Sequence, residues 1–315
     1  MNGKMIKFNA LIVKLIKSNR FFKELIRAII NSQVPEWRSV KNFNRPVARI
    51  QGNEESSKIL VATGGGGYAA AKFIESLIAK ALVLRGAQVE VLLCDGLLPA
   101  CFQTEISYDS NERRFAKNGP SPINCATCHK SAVRTYTALG IKIVNMSSLI
   151  SEDELADCRL LSQEASFADL KNYRVNNVNV GEHALAGTLR FYAKSILDDM
   201  HSEQVFRRYF EASLITNAVC NNLFRINKYT RVVLHHGIYV PQGVIAENAM
   251  SHAIPTTTWN VAYRKQCFIF SHDGTYHRTL LSEKNSNWEN MEFGEAKIAK
   301  IQNYLYTDLK LPFLK

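Results

Sequence analysis

The chain has 315 residues, 46% of them hydrophobic and 21% charged, a composition that suits one large α/β domain or two small ones. No apolar run approaches the ~20 residues that span a bilayer. The net charge of +11 is concentrated at one end. Residues 1–50 carry 11 Lys/Arg against Glu24 and Glu36, while the rest of the chain is nearly neutral, with no basic stripe for a nucleic acid.

Residues 4–31 read as two amphipathic helices separated at Ser18-Asn19, either of which can cap a new helix. Lys4, Lys7, Lys14 and Lys17 share one side of the first helix. In the second, Arg20, Lys23 and Arg27 oppose Phe21, Phe22, Leu25, Ile26, Ile29 and Ile30. Such an arm suits an anionic membrane surface or packing on its own domain. Val34–Asn53, with Pro35 and Pro46, reads as a linker. The division expected is an arm over 1–50, a Rossmann-like body over 51–288 and a C-terminal helix over 289–315.

The body opens with Lys58–Phe73, KILVATGGGGYAAAKF. An apolar strand, four glycines (Gly64, Gly65, Gly66, Gly67) and a helix beginning at Tyr68 make a first βα unit. Glycine N–H groups and a helix N-terminus suit an anion, and a tight turn without a ligand fits the same residues. The loop lacks the Lys-Ser/Thr of a P-loop and the third glycine of a dinucleotide fingerprint. Further strands are expected at Gln88–Cys94, Ile141–Asn145, Arg231–His235, Thr256–Trp259 and Cys267–Ser271. Helices are expected over Lys130–Leu139, Glu152–Leu170, Ala184–Met200, Glu203–Asn222, Gly243–His252, Gly274–Glu283 and Gly294–Tyr306. This alternation predicts an α/β fold with a mostly parallel sheet covered on both faces, whose ligands bind beyond the carboxyl strand ends.

Cys94, Cys101, Cys125 and Cys128 flank Asp95–Asn124, which reads as irregular. The CxxC spacing of Cys125 and Cys128 lets two thiolates reach one metal, so Zn or an iron–sulfur cluster on the four is one reading. Structurally quiet cysteines are the other. CATCH at 125–129 also matches covalent haem attachment. No signal peptide accompanies it, so haem attachment is rejected, and reduced thiols and a cytoplasmic protein are expected, peripheral on the inner membrane face if the arm binds lipid.

Two histidine-bearing segments follow. NVGEHALAGTLRFY (179–192) brings Glu182, His183 and Arg190 near one another if a helix starts near Gly181. VVLHHGIYVPQG (232–243) sets His235 and His236 at a strand's carboxyl end, where α/β sites are built and where histidine can move a proton near neutral pH.

The series VATGGGG, CDGLLPAC, CATC, VGEHALAGTLRFY, HHGIYVPQG and FSHDGTYH resembles bacterial surface or capsular polysaccharide glycosyltransferases of the GT-B architecture. That resemblance implies the acceptor-side half, transferring sugar from a nucleotide-sugar donor to a glycan or lipid-linked saccharide. It implies His235, His236 and His183 as catalytic candidates. Gly64–Gly67, Tyr68, Glu182, Arg190, Gln242 and His272 would contact substrate. Because the chain stops at Lys315, a separate donor-binding subunit or a longer parent chain is expected. The alternative is a non-catalytic binding subunit or a truncated product. The expected partners are therefore the saccharide acceptor, a donor-binding subunit and a membrane surface, with no nucleic acid.

Overall fold

The computed structural model describes residues 57–107, 111–262, 267–278, 286–289, 292 and 294–307. The arm, and the linker expected over Val34–Asn53, fall outside these residues, as do 279–285, where a helix was expected to continue. The chain divides into two compact units, one ending at Tyr276 and the other starting at His277.

In chain order the first unit runs β1 (Lys58–Gly64), α1 (Ala69–Leu84), β2 (Gln88–Leu93), α2 (Glu112–Asn118), α3 (Pro122–Ala138) and β3 (Lys142–Asn145). After a 3-10 turn at Met146–Leu149 come α4 (Glu152–Glu164), α5 (Phe167–Leu170), α6 (Val180–Tyr192) and α7 (Ser202–Ile226). The unit then adds β4 (Arg231–His235), α8 (Gln242–Ser251), β5 (Thr256–Val261) and β6 (Phe268–His272). The second unit contains α9 (Ser286–Glu289) and α10 (Glu295–Thr307).

The six strands form one sheet in the order β3-β2-β1-β4-β5-β6. All pairings are parallel except the last, in which β6 runs against β5. The expected α/β class is therefore found. After β3 the chain crosses back to place β4 on the other side of β1. The carboxyl ends of β1 and β4 thus flank the switch point where such sheets open a crevice.

Period-two burial divides the core. Leu60 and Ala62 of β1 face a cluster built on α6, α7 and α8, whereas Ile59 and Val61 face α1 and α3. Helix α7 is the main support of the first layer. It buries Val205, Phe206, Tyr209, Phe210, Ile215, Val219 and Leu223, each worth roughly 1.5–3 kcal/mol of transfer free energy. Gly187 of α6 makes the α6–α7 approach possible, since a Cβ there would stand 2.6 Å from the Tyr209 ring.

Several helix starts have local causes. Ser151 and Glu154 close a capping box on α4. Asn111 Oδ1 accepts the Arg114 N–H at 2.8 Å to start α2. Pro122 at the first position of α3 wastes no backbone donor. The sequence between Asp95 and Asn124 is therefore less irregular than expected, because α2 and the first turn of α3 lie in it. The helix expected over Glu152–Leu170 is two, α4 and α5. The one expected over Ala184–Met200 starts earlier and stops at Tyr192.

Candidate functional site

The glycine run after β1 is filled by its neighbours. An added Cβ at Gly64 would meet Pro241 Cγ at 2.9 Å, and one at Gly65 would meet Cys128 Sγ at 3.0 Å. At Gly66 it would stand 2.5 Å from the Cys128 carbonyl oxygen and 2.7 Å from the Ala132 nitrogen. At Gly67 it would lie 2.9 Å from Gln103 Oε1. The loop is glycine-rich because α3, the 94–103 segment and the loop after β4 all press on it. The four glycines thus need no ligand to account for them.

Beneath the loop lies a cavity of about 50 Å³, lined by Gly64, Gly67, Gln103, Thr104, Asn124 and the four cysteines, Cys94, Cys101, Cys125 and Cys128. The cysteines arrive from three places. Cys94 follows β2 directly, Cys101 ends the loop after it, and Cys125 and Cys128 lie in the first two turns of α3. Tyr209 of α7 steadies the middle group through a 2.7 Å hydrogen bond with the Thr104 hydroxyl, which in turn donates to the Cys101 carbonyl at 2.7 Å. Burial pushes the Cys101 thiol well above the ordinary range, with the other three cysteines adding to the shift. Burial also raises Cys94, although the backbone N–H groups of Leu98, Gly96 and Leu97 point at its sulfur and oppose the rise.

Behind Cys128, the buried Lys72 of α1 donates to Ser131 Oγ at 2.5 Å. Burial lowers its pKa to about 8, and the charge of Cys128 pulls the other way. Among the described residues, no three His, Cys, Asp or Glu side chains are placed to hold a single metal ion.

The second part of the site is the rim over the switch point. Tyr68 stands with its ring 5.9 Å from Phe102 and 5.8 Å from His235. Arg190, from the last turn of α6, lies 5.0 Å from the Phe102 ring centre and 5.6 Å from that of Tyr239. Its polar contacts are long: 3.4 Å to the Thr104 carbonyl and 3.5 Å to Glu105 Oε2.

The residues expected to act together do not all meet. His235 reaches the rim, but burial and its neighbour His236 lower its pKa to about 3, so it is a neutral imidazole and a weak proton acceptor. His236, at φ 68°, lies beside Tyr239 and 3.4 Å from Asn260 Nδ2. His183 packs inward. Its Nδ1 lies 2.6 Å from the Ile238 carbonyl, which can only accept, so Nδ1 carries a proton, and Nε2 lies 3.4 Å from Glu247. Glu182, adjacent in sequence, is exposed. Gln242 is buried beside the glycine loop, its Nε2 3.7 Å from a Cβ built on Gly64. His272 is displaced by the reversal of β6. It pairs with Thr257 near the amino end of β5, rather than standing at the carboxyl ends.

The sequence reading missed Lys72 and Glu75, which look like a solvated helix face but are wholly buried. Glu75 Oε1 accepts the backbone N–H of His235 at 3.0 Å and the Trp259 indole N–H at 3.3 Å. The only available signal was their i, i+3 spacing in a largely apolar helix.

No protein-family model and no curated protein matches the chain. Among solved structures it is similar to a CDPS from Fluoribacter dumoffii at 13% identity, covering 69% of this chain and 90% of that one, with a TM-score of 0.38. It is also similar to a cyclo(L-leucyl-L-phenylalanyl) synthase at 11% identity, covering 61% and 83%, with a TM-score of 0.33. A third is AlbC, a cyclodipeptide synthase from Streptomyces noursei, at 14% identity, covering 61% and 87%, with a TM-score of 0.31. Likenesses this slight assign no activity to the chain.

None of the three is a glycosyltransferase, and the expectation of a capsular polysaccharide glycosyltransferase of GT-B type is corrected accordingly. Its alternative, a subunit awaiting a donor-binding half, falls with it. So does the expected partner set of saccharide acceptor, donor-binding subunit and membrane surface, together with the exclusion of nucleic acid. No helix among the described residues is long and apolar enough to cross a membrane.

Proposed function

We propose that the chain is an iron–sulfur enzyme of the α/β class, with Cys94, Cys101, Cys125 and Cys128 ligating one polynuclear cluster beside the substrate rim. The supporting observation is the convergence of four thiols from three elements on a single cavity. A lone Zn draws its thiolates to ~2.3 Å from one point, a placement the described residues do not offer. A four-iron cluster takes each thiolate on a different iron, so its ligands stand further apart.

Two surroundings favour it. Backbone N–H groups aimed at the Cys94 sulfur stabilise a metal-bound thiolate, and the Lys72 ammonium offsets the charge that four thiolates bring. Iron would displace the protons that burial keeps on Cys94 and Cys101. All seven cysteines are free thiols, which suits a reducing compartment such as the cytoplasm.

The test is anaerobic reconstitution with iron and sulfide, followed by metal and acid-labile sulfide analysis. Uptake of both, with the broad visible absorption of a sulfide-bridged cluster, is the expected result. Failure to take up either would remove the proposal.

A further inference from the structure

The rim over the switch point carries a cation that the cysteine cavity does not use. Arg190 lies over the rings of Phe102 and Tyr239, and its polar contacts to the Thr104 carbonyl and Glu105 are long, at 3.4 and 3.5 Å. Its side chain retains 27% of its accessible surface. Beside it, Tyr68 is 40% exposed at the start of α1, its ring packed edge-on against Phe102. A guanidinium packed over aromatic rings uses its face for them and leaves its edge donors to meet a planar oxyanion with two parallel hydrogen bonds. An exposed ring next to it offers a stacking surface.

We infer that this rim binds a small ring-bearing carboxylic acid, with the carboxylate on the Arg190 fork and the ring against Tyr68 and Phe102. Glu105 decides between the two oxyanions an arginine commonly takes. Its carboxylate, 3.5 Å from Arg190, leaves the local charge near zero, so little attraction is left to repay desolvation, which costs a doubly charged phosphate far more than a singly charged carboxylate. The neutral His235 imidazole adds no compensating cation. Neither Arg190, Tyr68 nor Phe102 lines the cysteine cavity, although Thr104 touches both places.

The probes are phenylacetate, adenosine monophosphate and inorganic phosphate, titrated against the full chain with and without reconstituted iron. Phenylacetate should bind in both states. Arg190→Gln should weaken it by about tenfold or more, the loss of one charge-assisted contact. Tyr68→Ala, a change at an exposed ring, should fold normally and weaken it severalfold, and it decides the matter if Arg190→Gln is unstable. Tighter binding of either phosphate, no binding of phenylacetate at millimolar concentration, or binding that neither substitution weakens would overturn the assignment.

Discussion

Glu75 accepts the backbone N–H of His235 at 3.0 Å, so a carboxyl sealed inside the protein on α1 holds the end of β4. Burial pushes its pKa up to about 7 from 4.5, against the pull of hydrogen bonds from Thr63, Trp259 and the His235 backbone.

A pH dependence of stability follows. The folded chain keeps a proton on Glu75 over a range in which the unfolded chain has released it. This contribution is complete below pH 4.5 and lost as pH rises through about 7, amounting to roughly 3 kcal/mol. Glu75→Gln keeps the acceptor for His235 and removes the titration. Unfolding free energies between pH 4.5 and 8 should therefore decline less steeply in the variant. An unchanged slope would assign the effect to another group.

Glu247 titrates in the opposite sense. Burial alone would raise its carboxyl, but hydrogen bonds with His183 and Asn179 outweigh it and hold the pKa down to about 2. Its contribution is present above the unfolded value of 4.5 and is lost as pH falls toward 2. Glu247→Gln should cost about 1–3 kcal/mol at pH 7 and flatten the acid limb of the stability curve. Thermal melts at pH 7 and pH 3 would measure both effects. Equal losses at the two pH values would show that packing, not charge, is responsible.

The glycine loop gives a paired test. Gly66→Ala drives a Cβ against main-chain atoms of α3 at 2.5 and 2.7 Å. It should destabilise by about 3 kcal/mol or more. Gly65→Ala meets only the Cys128 sulfur at 3.0 Å, which can yield, and should cost under about 1 kcal/mol. Comparable melting temperatures for the two variants would contradict the packing described.

For the cysteines, Cys101→Ser and Cys125→Ser should each abolish iron and sulfide uptake. Cys158→Ser, on α4 and outside the cavity, should retain it. Iron retained by both cavity variants would mean that the thiols are not the ligands.

Much of the architecture was legible in the sequence. The strand Arg231–His235 and the helix ending at Leu84 stand where their patterns place them. Apolar runs bounded by glycine and polar turns are local signals. The direction of β6 was not legible, because an edge strand reads alike in either sense, and the error carried His272 to the wrong end of the sheet. The convergence of Cys94 and Cys101 with Cys125 and Cys128 could be suspected from spacing. Their separation depends on how α3 packs under the loop, which no local pattern shows. Buried Lys72 and Glu75 escaped because a charged residue on a helix is normally solvated, and only tertiary contacts reverse that expectation.

The filling of the glycine run also sets how the chain can drift. At Gly66 the opposing atoms are the Cys128 carbonyl and the Ala132 nitrogen, which no side-chain replacement in α3 can remove. Position 66 is therefore tied to the path of a helix rather than to any residue on it. Gly67 opposes the side chain of Gln103, so a change there can be answered by a smaller residue at 103, whereas Gly65 faces the sulfur of Cys128, a proposed ligand that cannot be exchanged. Homologous chains should then keep 65 and 66 fixed while 67 exchanges bulk with 103, so that a run uniform in composition is divided in its evolutionary freedom.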